Sequence, residues 1–206
     1  PLIFGRYFDI TILTTDGATF LTESTGSLSY SFGVIMNSMR LKRKFFNRDT
    51  VIVAQELLGK YLVRKAGNKI MRAKITETEA YCGPNDLACH ASKGMTPRTK
   101  VMFGPPGHAY IYLIYGMYHC LNFVTEEEGV AAGVLIRGAR FPGVEYRKTN
   151  GPGKLCQALG LTREHNNIDA TTRGELYITD GITIDTKDIL QTPRIGITKA
   201  QDRLWR

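Results

Sequence analysis

Residues Ile75 to Tyr81, Ile-Thr-Glu-Thr-Glu-Ala-Tyr, limit what this chain can fold into more than any other stretch. The alternation predicts a β-strand, on which successive side chains point to opposite faces. Period two sets Ile75, Glu77, Glu79 and Tyr81 on one face. Two carboxylates and a tyrosine sharing a face do not build a core, because carboxylates are almost never buried unpaired. A second stretch, Tyr110-Ile-Tyr-Leu-Ile-Tyr-Gly-Met-Tyr118, carries four tyrosines within nine residues. Carboxylates beside a dense aromatic surface, in a basic chain, point to chemistry on a flat ring of a nucleic acid.

The basic character is plain: the formal net charge is +8 and the sequence pI about 9.4. That selects polyanions or acidic surfaces as partners and says nothing about fold. The 206 residues, 43% of them hydrophobic, suffice for one domain with a real core. No apolar run is long enough for a transmembrane helix, so no membrane partner is expected. Cys82, Cys89, Cys120 and Cys156 form no C-x-x-C pair and are expected to be free, mostly buried thiols. The pairs Cys89-His90 and His119-Cys120 lack structural-zinc spacing, so neither metal nor cofactor is expected.

Taken in order, residues 1–39 read as a weakly ordered N-terminal extension rich in Thr, Ser and Gly, with Met36 or Met39 as a natural start. Arg40 to Lys44 is a basic run, a solvated arm or a phosphate contact. Asp49 caps a helix from Thr50, with Ala54, Leu57, Leu58 and Tyr61 at helical spacing and Gly59 as its stop. Lys60–Arg64 and Ile70–Tyr81 form a hairpin around Gly67-Asn68. Gly83-Pro84-Asn85-Asp86 is a turn, and Lys93 to Lys100 a basic loop suited to clamping a backbone. Ala109–Tyr115 and Tyr118–Thr125 are strands joined at Gly116-Met117, with Tyr115 at the tip and Ile111, Leu113 and Ile114 in the core. Val130–Ala139 is a buried strand ending at Arg137, and Gly151-Pro152 opens a helix whose free N–H groups suit an anion. Short strands are expected at Glu175–Thr179 and Ile195–Thr198. The expected fold class is α+β, a single domain from residue 40 to 206 built on a curved, largely antiparallel sheet with peripheral helices and a protruding hairpin.

Thr-Glu-Ala-Tyr81, Ala88-Cys-His90, Thr96-Pro-Arg98, the Tyr110–Tyr118 run, Asn122, Leu135-Ile-Arg137 and Gly151-Pro-Gly-Lys-Leu-Cys-Gln-Ala-Leu159 occur in that order. Together they closely resemble the alkyladenine (3-methyladenine) DNA glycosylase family over about residues 45 to 206, a far more specific signal than any single motif. The resemblance implies a monofunctional glycosylase of base excision repair that flips alkylated or deaminated purines out of duplex DNA and hydrolyses them off the sugar. It makes Glu79 the water-activating carboxylate and Arg137 the arginine near that water; spacing alone does not choose Glu79 over Glu77. It places Tyr81, His90, Tyr112 and Asn122 around the base and Tyr115 in the duplex. It sets Arg98, Lys100, Met117 and Lys154 against the DNA backbone. The implied partner is double-stranded DNA containing damaged purines, bound by a monomer, in a bacterial cytoplasm at the nucleoid or in a eukaryotic nucleus. In the family a further segment follows the motif that ends here at Trp205-Arg206, so the domain is expected to be shortened at its C-terminus. A neutral base such as hypoxanthine needs protonation on leaving, and no residue is assigned to it. No lysine stands out as a Schiff-base nucleophile. Two other classes remain open on the residues alone: a noncatalytic module reading distorted DNA, and a zinc hydrolase using His90 and the cysteines.

Overall fold

The computed structural model describes the backbone of residues 10–15 and 18–23 and all atoms of residues 39–206. Two compact units divide at Ser38/Met39. In the first, Ile10–Thr15 (β1) and Ala18–Glu23 (β2) pair antiparallel, strands that the sequence did not announce. The rest of the expected weakly ordered extension lies outside the described residues. No described helix is long and apolar enough to cross a membrane.

The second unit is built on a six-stranded, wholly antiparallel sheet. Its strands are Tyr61–Ala66 (β3), Lys69–Cys82 (β4), Ala109–Ile114 (β5), Tyr118–Thr125 (β6), Ala132–Arg140 (β7) and Leu176–Thr179 (β8). They lie in the order β5-β6-β7-β4-β3-β8. Three helices are Arg43–Phe46 (α1), Thr50–Leu57 (α2) and Pro152–Leu159 (α3). Asp49 caps α2 as expected, its carboxylate accepting from the Val51 and Ile52 N–H groups. Tyr61 does not extend the helix; it opens β3, because Leu58 is already extended and Gly59 turns the chain at φ +81°.

The main core lies between one face of the sheet and the three helices. Phe46, Leu57, Leu155 and Leu159 meet Leu62, Ile75, Leu121, Phe123, Ile136 and Ile178, all buried. Ile111 joins this core, but Leu113 is 37% exposed, because the outer end of the β5–β6 hairpin projects beyond the helices. β7 continues past Arg137 to Arg140. Ile195–Thr198, expected to be a strand, is irregular. It belongs to a C-terminal strap over the edge of β4 that β3 leaves unpaired, with the Ala80 N–H donating to the Trp205 carbonyl at 2.9 Å.

One close approach anchors the entry to the sheet. A Cβ on Gly59 would stand 2.7 Å from the Ile182 carbonyl oxygen, and one on Gly181 would collide with the Gly59 carbonyl. Neither obstacle is a flexible side-chain tip. Gly59→Ala should therefore cost more than about 2 kcal/mol, combining left-handed strain with overpacking. Chemical denaturation of the variant checks this, and an unchanged midpoint would contradict it.

Candidate active site

Alternation places the site. Tyr110 pairs with Asn122, Asn122 with Leu135, and Leu135 with Glu79, one row across β5, β6, β7 and β4. The adjacent row, Ala109–Phe123–Val134–Ala80, lies in the main core. The first row therefore faces the other way, into a cleft of about 630 Å³ also lined by Tyr81, His90, Tyr112, Tyr115, Arg137, the Gly151–Lys154 helix start and residues 195–199.

Strict alternation fails just below the site. Ile75 pairs with Ala139, Glu77 with Gly138 and Thr78 with Ile136, so Thr76 and Arg137 each lack a cross-strand partner between β4 and β7. This irregularity flips the parity of both strands. Core positions run Ala73, Ile75 and then Ala80 on β4, and Val134, Ile136 and then Ala139 on β7. Ile75 thus belongs to the core and does not share a face with Glu79 and Tyr81, correcting the simple alternation. A bulge re-aims side chains in this way, and here it aims Arg137 at both glutamates.

Glu79 has no exposed surface. Its Oε1 accepts from the Ile195 N–H at 2.8 Å and its Oε2 from the Tyr81 hydroxyl at 2.9 Å. Arg137 Nη1 stands 3.4 Å from Oε1. Burial pushes the Glu79 pKa up, opposed first by Arg137 and then by the Ile195 and Tyr81 bonds and by Arg194. Its neighbours Tyr81, Leu135, Arg137 and Ile195 line the cleft, so the carboxylate lies directly beneath the floor. Glu77 differs. Its Oε1 is bound by Arg137 Nε at 3.1 Å and Arg206 Nη1 at 2.8 Å. It borders a separate cavity of about 240 Å³ between α2 and residues 189–192 and 204–206. Glu77 is thus engaged by two guanidiniums beside a different cavity, whereas Glu79 lies beneath the ring-lined cleft.

The walls are rings. Tyr110 and Tyr112 lie 5.4 Å apart between centroids, and His90 meets Tyr112 edge-on at 4.5 Å. Arg98 Nη2 approaches His90 Nε2 at 3.5 Å. A guanidinium only donates, so Nε2 accepts and Nδ1–H is left to meet the Tyr110 hydroxyl at 3.2 Å. Burial among the rings, helped by the Arg98 charge, pulls the His90 pKa down to about 4, so this histidine is neutral at physiological pH. The Arg98 guanidinium also lies 5.0 Å from the Tyr112 ring centre. Asn122 is buried, its amide nitrogen donating to the Tyr110 and Cys120 carbonyls at 3.1 and 3.4 Å. Among the described residues no three His, Cys, Asp or Glu side chains gather as a metal-ligand group.

At the mouth the β5–β6 turn centres on Tyr115 (φ 53°) and Gly116 (φ 71°), one residue earlier than expected. Met117 N–H closes it on the Ile114 carbonyl at 3.2 Å. Tyr115 is 78% exposed and Met117 66%. Tyr118 lies against Gly153, where a Cβ would come within 2.9 Å of its ring. Lys154 Nζ donates to the Arg147 carbonyl and Asn150 Oδ1 at 2.9 and 3.2 Å. Lys100 is exposed and opens a short helical turn outside the cleft lining. Sequence reasoning left out Tyr110, though it stands in the quoted tyrosine run. It also left out Asp86, Arg194 and Ile195, which belong to a turn and a strap that carry no motif of their own.

The geometry has counterparts. A family model described as methylpurine-DNA glycosylase matches residues 44–206. A Methanocella arvoryzae protein provisionally named 3-methyladenine DNA glycosylase is 50% identical over 182 residues, covering 81% of this chain and 90% of its own length. A Rickettsia felis protein with the same provisional name is 50% identical over 167 residues, again 81% of this chain and 90% of its own. A third, from Ehrlichia ruminantium, is 49% identical over 168 residues, 81% of this chain and 87% of its own. The family match takes in the whole six-stranded sheet and every cleft residue described above: the chain belongs to the methylpurine-DNA glycosylase family and is a DNA N-glycosylase, a hydrolase of DNA repair.

Proposed function

We propose that this chain flips alkylated or deaminated purines, such as 3-methyladenine, 7-methylguanine and hypoxanthine, out of duplex DNA and removes them with a water activated by Glu79. The observation that carries this reading is a wholly enclosed carboxylate beneath the floor of a ring-lined cleft whose rim bears an exposed tyrosine. A stacked purine cannot reach such a floor without leaving the helix, which costs a few kcal/mol. Tyr115 fills the vacated space, and the flipped ring lies among Tyr81, His90 and Tyr112. Base–aromatic stacking returns about 1–3 kcal/mol, and a cationic methylated purine gains from the ring faces as well. A neutral His90 suits that cation, since a protonated one would repel it.

In the hydrolytic step a water oxygen bonds to the sugar C1′ while the C1′–N bond breaks and its electron pair leaves with the base. A cationic methylpurine departs neutral. Glu79 takes the water proton, and its negative charge offsets the charge developing on the sugar. Arg137 keeps Glu79 ionised and oriented.

Four outcomes are expected in single-turnover release of 7-methylguanine. Glu79→Gln should lower the rate by about 10²–10⁴-fold, the range for a general base; wild type that binds lesion DNA and releases no base would mark a binding module instead. The acidic limb of the wild-type rate should lie above the ordinary glutamate value of 4.5, because a raised pKa leaves the base protonated to higher pH. Arg137→Ala should move it higher still, since a cation that favours the anion is removed; a limb that stays put or moves down would contradict the role. Tyr115→Ala should slow release from duplex DNA roughly tenfold, as the cost of unstacking is no longer offset, and leave release from single strands unchanged. Equal losses on both substrates would remove Tyr115 from the flipping step.

A further inference from the structure

We propose that Arg194, locked to Asp86, is a positioning residue that holds Glu79 in its working orientation through the main chain of Ile195. This rests on Glu79 as the base. The Arg194 and Asp86 side chains are both wholly buried. Arg194 Nη1 and Nη2 grip the two Asp86 oxygens at 2.5 and 2.8 Å, and Nη1 also donates to the Ala80 carbonyl at 2.9 Å. Asp86 in turn accepts from the Cys82 and Ala88 N–H groups at 3.2 and 3.1 Å, which pins it to the end of β4. The guanidinium lies 4.7 Å from the centre of the Tyr81 ring and 5.1 Å from that of Trp205.

What lies on either side of this cation separates a positioning role from mere stability. Glu79 and Tyr81 flank Ala80, whose carbonyl Arg194 holds. Ile195, the next residue along the strap, gives its N–H to Glu79 Oε1 at 2.8 Å. One guanidinium thus joins the strand that bears the carboxylate to the segment that orients it. Two of the three hydrogen-bond and ion-pair contacts of Glu79 come from residues tied to this cation: Tyr81, which follows the gripped Ala80, and Ile195, which follows Arg194 itself. Among the described residues Arg194 Nε, though buried, has no hydrogen-bond partner. The titratable and charged groups facing Glu79 are Tyr81 and Glu77 on β4, Arg137 on β7, Cys120 on β6 and Arg194 on the strap. Of these, Arg137, the Tyr81 hydroxyl and Arg194 favour its anion, and so does the Ile195 N–H.

The test is single-turnover release of 7-methylguanine from duplex DNA across the acidic and neutral range. It compares wild type, Arg194→Lys and Glu79→Gln, with affinity for duplex DNA carrying a stable abasic-site analogue measured in parallel. Arg194→Lys keeps the charge and loses the fork. The expected result is a rate lower by about 100-fold at neutral pH, the scale of a misplaced catalytic group. The acidic limb should move to higher pH, with abasic-DNA affinity within about twofold of wild type, well under a 1.4 kcal/mol change. A limb that stays in place, whether the rate is unchanged or falls together with DNA affinity, would overturn the proposal and leave Arg194 a structural residue. If Arg194→Lys does not fold, Asp86→Asn releases the same fork and is read by the same limb. Wild-type rates in Glu79→Gln would instead unseat Glu79 as the base, whatever Arg194 does.

Discussion

Enclosing the charge of Glu79 is the demand to which the surrounding structure answers. An ionised carboxylate taken out of water is costly unless charge and hydrogen bonds replace the lost hydration. Here the replacements come from three separate parts of the chain: the Tyr81 hydroxyl on the same strand, the Arg137 guanidinium on the neighbouring strand, and the Ile195 N–H on the C-terminal strap. None of these alone offsets burial, which still leaves the carboxyl with a raised proton affinity. Glu77 meets its surroundings differently: Arg137 and Arg206 both bind its Oε1, and it borders the other cavity.

The bulge between β4 and β7 makes the arrangement possible. A regular ladder would pair Arg137 across β4 and fix its direction by parity. With Thr76 and Arg137 both unpaired, the strands slip together, the core pattern changes parity on each, and Arg137 reaches Glu77 and Glu79 at once. The same slip lets one strand serve two environments. Its first half sends Ala73 and Ile75 into the main core, while its second half presents Glu79 and Tyr81 to the cleft.

How much of this was legible in the sequence follows from the range of each interaction. Alternation gave β4 and the tyrosine hairpin, and Asp49 gave the start of α2, because those signals are local. The ordered motifs named Glu79, Arg137, Tyr81, His90, Tyr112 and Asn122; the sheet and the short turn that carries His90 gather all but the enclosed Glu79 in the lining of one cleft. Spacing could not separate Glu79 from Glu77, since both sit in the same alternating run. The difference lies far along the chain: Arg206 binds Glu77 alone, and the Ile195 N–H binds Glu79 alone. The bulge was invisible for a related reason: Ile75 looks like any other odd-numbered position until the partner strand is known. Arg194 and Asp86 were missed because an arginine in a turn-rich tail and an aspartate in a turn both read as solvated, and only their meeting buries them.

The left-handed turn at Tyr115 has a consequence for the entropy of binding. A tyrosine at φ 53° followed by glycine at φ 71° sits in a tight loop between two paired strands, with its ring in solvent. The backbone beneath the ring is already fixed before any DNA arrives. If inserted between bases as proposed, such a side chain has two torsions left to lose, whereas a flexible loop would have to be ordered residue by residue, at about 1–2 kcal/mol each. In the proposed flipping step the hairpin is then a preset wedge, its ordering cost met when the protein folds and not each time it meets a lesion.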